Sequence, residues 1–179
     1  MLAFKLTFYI ETPSSDVVQN SDGMFVDVLN AVCEREDSMG RKPKFDYESF
    51  VELMKEVDEK YSEDFVYCMP EYLSYNKRLK KIQNEETRNF LMERIKENKI
   101  ILTGNGKEED DQSLVSIAMS LERPIMSKDK RMKKHIESFS EEIMPAAIRY
   151  IEENRTDFHF INGNIAIDGL IPRKFKVNT

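Results

Sequence analysis

Short apolar runs alternate along this chain with longer amphipathic ones. Residues 4–10 (FKLTFYI) alternate apolar and polar positions, the period of a strand, and a polar, Ser-rich turn region follows as far as Gly23. Residues 24–29 predict a second strand, apolar throughout except at Asp27. Beyond Pro43, the positions of Phe50, Leu53, Met54 and Val57 share one helical face. Residues 65–69 predict a buried strand closed by Pro70. The basic, aromatic stretch 72–81 predicts a loop or irregular helix, and the next helix turns Phe90, Leu91 and Ile95 inward. A strand at 99–103 ends in the turn Gly104-Asn105-Gly106. After an acidic run, a helix reaches about Leu121 with Leu114, Ile117, Ala118 and Leu121 on one stripe. A short strand at 124–127, a charged helical section, and a helix carrying Pro145 in its first turn complete this half. The runs 158–161 and 164–167 flank Asn162-Gly163, a strong hairpin signal.

Strands alternating with amphipathic helices imply parallel pairing, hence an α/β fold with a mainly parallel central sheet, helices on both faces and a C-terminal hairpin. The 179 residues suit a single domain spanning 1–179. A chain of this size can bury roughly 70% of its unfolded surface, so it needs neither disulfide nor structural metal to fold. Cys33 and Cys68 lie in apolar segments without metal-ligand spacing and read as reduced core residues, pointing to the cytoplasm. No stretch approaches the roughly 18 apolar residues of a membrane span, and the alternation around Thr7 fits a strand better than a signal peptide. The net charge of −6 argues against coating nucleic acid by bulk electrostatics. It does not exclude a nuclease, whose acidic ligands count against the total while the substrate meets only a local surface.

In an open α/β sheet, ligands bind beyond the carboxyl ends of the strands. Three such ends carry carboxylates here. Asp27 is the only charge in MFVDVLNAV, Asp110 and Asp111 follow the Gly-Asn-Gly turn at the start of a helix, and Asp129 stands just past the PIMS strand. Asp110 and Asp111 could cap their helix, and Asp129 could be a turn residue. Asp27 is harder to dismiss, because an unpartnered buried carboxylate costs several kcal/mol or stays protonated. A cluster of such groups suits a hard divalent cation, Mg²⁺ or Mn²⁺. Such an ion can activate water and stabilise the oxygens of a phosphodiester under hydrolysis.

The segments MFVDVLNAV, EEDDQSLVSIAMSLERPIMSKDKRM and RYIEENRTDFHFINGNIAI resemble the PIN-like superfamily, specifically the NYN branch with the Regnase-type (MCP-induced protein) endoribonucleases. The motifs concerned are Asp27 with Asn30, Asp110 with Asp111, and Ser127 with Asp129, over roughly residues 23–172; residues 1–22 lie outside the likeness. The resemblance implies a Rossmann-like sheet and Mg²⁺-dependent cleavage of single-stranded or loop RNA, leaving a 5′-phosphate. It makes Asp27, Asp110 and Asp129 metal-facing ligands, and Asp111 a fourth ligand or a helix cap. Asn30 would orient Asp27 or a substrate phosphate, and Ser127 would support Asp129. Val28 and Leu29 replace the small residues of the family, which would narrow the pocket floor, and Lys128 stands where Asn is common.

Two basic clusters offset the acidic total. Lys77, Arg78, Lys80 and Lys81 interleave with Tyr72 and Tyr75, while Lys128, Lys130, Arg131, Lys133 and Lys134 follow the PIMS strand. The second cluster, with Ser127, is the candidate phosphate-binding surface, and tyrosines near the first could stack on unpaired bases. His135 reads as a lone surface histidine and His159 as structural, which disfavours a metal-free His-His nuclease. Two other readings stand: a catalytically silent module binding RNA or a protein partner, and a receiver-type Mg²⁺ pocket, whose acidic pair would come near the first strand. The N-terminal strand could cover a sheet edge or join a homodimer.

Overall fold

The computed structural model describes residues 23–74, 76–161 and 163–173. The strand expected at 4–10 and the turn residue Asn162 lie outside them. Strand β1 (Met24–Asp27) passes directly into α1 (Val28–Ser38), followed by α2 (Tyr47–Lys60) and β2 (Phe65–Pro70). Two one-turn helices, α3 (Glu71–Ser74) and α4 (Asn76–Leu79), occupy the basic aromatic stretch, and α5 (Glu85–Lys96) leads to β3 (Ile100–Thr103). Then come α6 (Lys107–Leu121), β4 (Ile125–Met126), α7 (Met132–His135) running into a 3-10 turn, α8 (Met144–Asn154), β5 (Arg155–Thr156), and the hairpin of β6 (Phe158–Ile161) and β7 (Asn164–Ile167).

The five strands of the central sheet run parallel in the order β3-β2-β1-β4-β5, and β6 and β7 pair antiparallel. The fold is the expected one: α/β, with helices on both faces and a C-terminal hairpin. Side-chain alternation along each strand divides the core in two. Met24, Val26, Phe65, Tyr67, Met69 and Ile100 face α1, α2, α5 and the hairpin. Phe25, Val66, Cys68, Ile101 and Ile125 face α6, α7 and α8. The predicted stripe on α2 is fully buried at Phe50, Leu53, Met54 and Val57.

Three local expectations need correction. The strand predicted at 24–29 stops at Asp27, because its carboxylate accepts from the backbone N–H of Asn30 (3.1 Å) and starts α1. Val28 is therefore fully buried on the α1 side of the sheet, with Leu29 packed against the same cluster, so neither forms a pocket floor. Asp110 and Asp111 do not begin their helix. It starts at Lys107, and the Glu109 carboxylate accepts from the backbone N–H of Asn105 (3.2 Å) and of Gly106 (3.3 Å), so capping is done one residue before the acidic pair. Finally, the two-residue strand β5 was not anticipated; Arg155 and Thr156 carry no apolar pattern.

Candidate metal centre at the carboxyl ends of the strands

The chain moves outward from β1 through β2 to β3, then returns to place β4 on the other side of β1. The crevice between β1 and β4 is thus the topological switch point, where open α/β sheets receive ligands. Alternation decides which side chains arrive there. Asp27, Thr103 and Ser127 each stand two residues past an α6-facing core residue, namely Phe25, Ile101 and Ile125, so all three emerge on the α6 side. Helix α6 crosses above them and brings Asp110 and Asp111 in its first turns.

Hydrogen bonds fix the arrangement. Asp27 accepts from the Ser127 hydroxyl (2.7 Å) through its second oxygen, and Ser127 Oγ also accepts from the Asp129 N–H (3.1 Å). The Asn30 side-chain oxygen accepts from the Lys128 N–H (2.7 Å), tying α1 to the loop after β4. Thr103 donates its hydroxyl hydrogen to Asp110. Asp129 accepts from the Arg131 N–H (2.7 Å), and Asp111 contacts His135 Nδ1.

Asp27, Asp110 and Asp111 are all buried. Burial pushes the Asp27 carboxyl from 3.8 up to about 7, with the neighbouring charges of Asp111 and Asp129 adding to the rise. Asp110 rises to about 8, again through burial, with Asp27 and Asp111 contributing. Asp111 is raised by burial, an effect opposed by its bond to His135. The carboxylates therefore feel one another; among the described residues Arg131 lies by Asp129 at the rim, while Asp27 and Asp110 are bonded to hydroxyls.

Geometry splits the site into two tiers. Asp111, Asp129 and His135 each offer a ligand atom, and these atoms lie within 4.8 Å of one another. Asp27 and Asp110 are set back, each turned onto a hydroxyl. His135 is thus not the lone surface histidine expected; its side chain is 13% exposed and belongs to the outer tier. In sequence it sits among cations, and only the one-turn helix α7 folds it back over α6. Its place in the segment that opens at Asp129 was the one available hint. His159, in contrast, is an exposed residue of β6, 3.4 Å from Asp168. Oxygen donors plus one imidazole fit a divalent cation, and raised carboxyl pKa values are what such an ion would relieve.

The basic loop surrounds this centre unevenly. Lys128 is drawn away by Glu34 (3.0 Å), Lys133 pairs with Glu152 (2.6 Å), and Arg131 Nε lies 3.4 Å from Asp129. Lys130 and Lys134 are exposed. In the first cluster, the Arg78 guanidinium lies 5.8 Å from the Tyr72 ring centre, while Tyr75 and the Lys77 side chain fall outside the description.

No protein-family model and no curated protein sequence matches the chain. Solved structures do. Arabidopsis thaliana nuclear protein-only RNase P 2 (PRORP2) superposes with a TM-score of 0.56 at 18% identity, covering 83% of this chain and 29% of that one. A second crystal structure of the same A. thaliana protein gives 0.55 at 17% identity, covering 83% and 30%. The likeness is one of fold: a parallel central sheet with helices on both faces. The chain spans less than a third of the length of these neighbours. Among the described residues no helix is long and apolar enough to cross a membrane.

Proposed function

We propose that this chain is a divalent-metal-dependent endoribonuclease that hydrolyses single-stranded or loop RNA, with a site of the Regnase-like arrangement. The observation that carries the reading is the convergence of Asp111, Asp129 and His135 in front of two buried carboxylates at the switch point of the sheet. The likeness of fold to a protein named as an RNase P supports RNA as substrate.

Asp111 and Asp129 would hold the ion with His135, and Asp27 and Asp110 would complete the acidic wall, directly or through water. When bound, Mg²⁺ or Mn²⁺ would supply a water of lowered pKa and a Lewis acid for the phosphoryl oxygens. The protein's own contribution is orientation. Ser127 fixes Asp27 and the Asp129 backbone together, and Asn30 locks the loop that carries both Ser127 and Asp129. Lys130 and Arg131, exposed beside Asp129, would hold flanking phosphates, with Lys128 and Lys133 able to join by leaving their glutamates. Val28 and Leu29, whose bulk would narrow the pocket floor in the family's arrangement, pack on the opposite side of the sheet.

The test incubates labelled single-stranded RNA, hairpin RNA and single-stranded DNA with the protein plus Mg²⁺, Mn²⁺ or EDTA. Metal-dependent cutting within the unpaired RNA is expected. Asp129→Asn should lower the rate by about 10²–10³-fold or more, the scale of losing a group that stabilises charge in the transition state. Equal cutting by the variant would assign the activity to a contaminant and end this reading.

A further inference from the structure

On the β5 side of the carboxylates, Lys133, Ile151, Glu152, Arg155 and Asp157 line an open cleft of about 250 Å³. Its wall is continuous with the metal centre. One Arg155 NH group donates to the Asp129 carbonyl (3.3 Å), and Lys133 sits on α7, the same turn that carries His135. Ile151 is buried beneath it, and the other four lining residues are charged.

The cations here are held loosely by acids. The Arg155 Nε to Asp157 distance is 3.7 Å, too long for a hydrogen bond. Arg155 is 24% exposed, and a guanidinium carries five N–H donors, of which the Asp129 carbonyl takes one. Lys133 and Glu152 form a close pair at 2.6 Å, but their side chains are 43% and 53% exposed. Pairs as exposed as this contribute little to stability and are readily exchanged. A planar guanidinium anchored on one edge and open on the other suits a phosphate, which it can grip through two parallel N–H donors.

We propose that this cleft is a backbone-phosphate subsite for single-stranded RNA, in which Arg155 and Lys133 grip a phosphate flanking the cut and Glu152 competes with it for Lys133. The proposal rests on the nuclease reading above and adds the direction the strand leaves the metal centre, over β5. The sequence does not single out Arg155, which lies between a predicted helix and the predicted strand at 158–161.

The experiment measures binding of labelled single-stranded RNA over a range of salt concentrations, in the Asp27→Asn background so that the strand stays intact. Each phosphate contact to a single strand contributes about 0.7 to the slope of log K against log salt. Arg155→Gln and Lys133→Gln should each flatten the slope by about that amount and weaken binding roughly tenfold, the worth of a hydrogen bond to a charged partner. Glu152→Gln should act in the opposite sense, tightening binding several-fold, because it frees Lys133. In the cleaving protein, Lys133→Gln and Arg155→Gln should raise KM by a larger factor than they lower kcat. A lower kcat with the salt slope intact would make Arg155 only a strut for the Asp129 loop, and the cleft proposal would fall while the nuclease reading stood. An Asp27→Asn protein that binds no RNA would overturn both.

Discussion

Between α1 and α2, Arg35 is buried with its charge answered. Its guanidinium donates to the Ser49 carbonyl (3.0 Å) and lies 3.3 Å from Glu52 and 3.9 Å from Glu56, while Glu56 in turn accepts from the Ile165 N–H (2.6 Å). Buried Glu36 on the same helix is met by Arg41 at 3.3 Å. At the carboxyl edge of the sheet, Asp27 and Asp110 are just as buried, but they meet hydroxyls and other carboxylates, and Asp111 meets the His135 imidazole and the charge of Arg131. Both regions withdraw charge from water, and only one balances it. A balanced network clamps elements together; here it joins α1, α2 and the hairpin. An unbalanced one costs stability and persists where function requires it.

The sharpest way to break this contrast is to neutralise Asp27. A carboxyl group raised from 3.8 to about 7 favours the folded state below its unfolded pKa, and that advantage disappears as pH climbs through 7. Asp110, raised to about 8, behaves alike. The metal-free protein should therefore lose stability steadily between about pH 4 and pH 8, and added Mn²⁺ should restore it, since an ion that binds only the folded state stabilises it. Asp27→Asn should remove Asp27's share of the slope and stabilise the metal-free protein at pH 8 by up to about 4 kcal/mol, the free-energy equivalent of that displacement. The same change should abolish RNA cleavage. Thermal melts at pH 5 and pH 8 decide the matter, and a variant that melts lower at pH 8 would show Asp27 to be an ordinary structural cap.

The opposite sign is expected at Arg35. Replacing it with Met leaves Glu56 partly buried without its cation, and breaking a buried pair costs about 3–5 kcal/mol. Glu52 is well exposed, so about 3 kcal/mol is the reasonable figure. Urea titration measures it. The stabilisation gained on adding Mn²⁺ should match that of the parent protein, because the network lies away from the carboxylates. A variant that had also lost its response to Mn²⁺ would show the two regions to be coupled.

Much of this was legible in the sequence because it depends on period and on isolated exceptions to period. Asp27 stood out as one charge in an apolar run, and the ends of three predicted strands marked the acidic edge. What escaped depends on short or polar elements. A two-residue strand such as β5 has no period to detect, and α7 is a single turn of cations whose fold-back cannot be read from spacing. The exact start of α6 mattered too: Glu109, as the capping residue, releases Asp110 and Asp111 from the role that competed with function. Similarly, moving the end of β1 by two residues turned Val28 and Leu29 from pocket floor into core.

His135 sets the finest test of the contrast, because among the described residues it is the imidazole that joins Asp111 and Asp129 as a candidate ligand. A partner that ligates or orients in a metal site is typically worth 10–100-fold in metal affinity, so His135→Gln should raise the Mn²⁺ concentration for half-maximal cleavage by about that factor. Imidazole favours transition metals over Mg²⁺. If His135 contributes a nitrogen to the ion, the Mg²⁺ requirement should rise less than the Mn²⁺ requirement. If it serves only to hold Asp111, both requirements should rise together, since the carboxylate serves either ion. Titrating both metals against the parent and the variant separates these cases, and no change in either would leave His135 outside the metal centre despite its contact with Asp111.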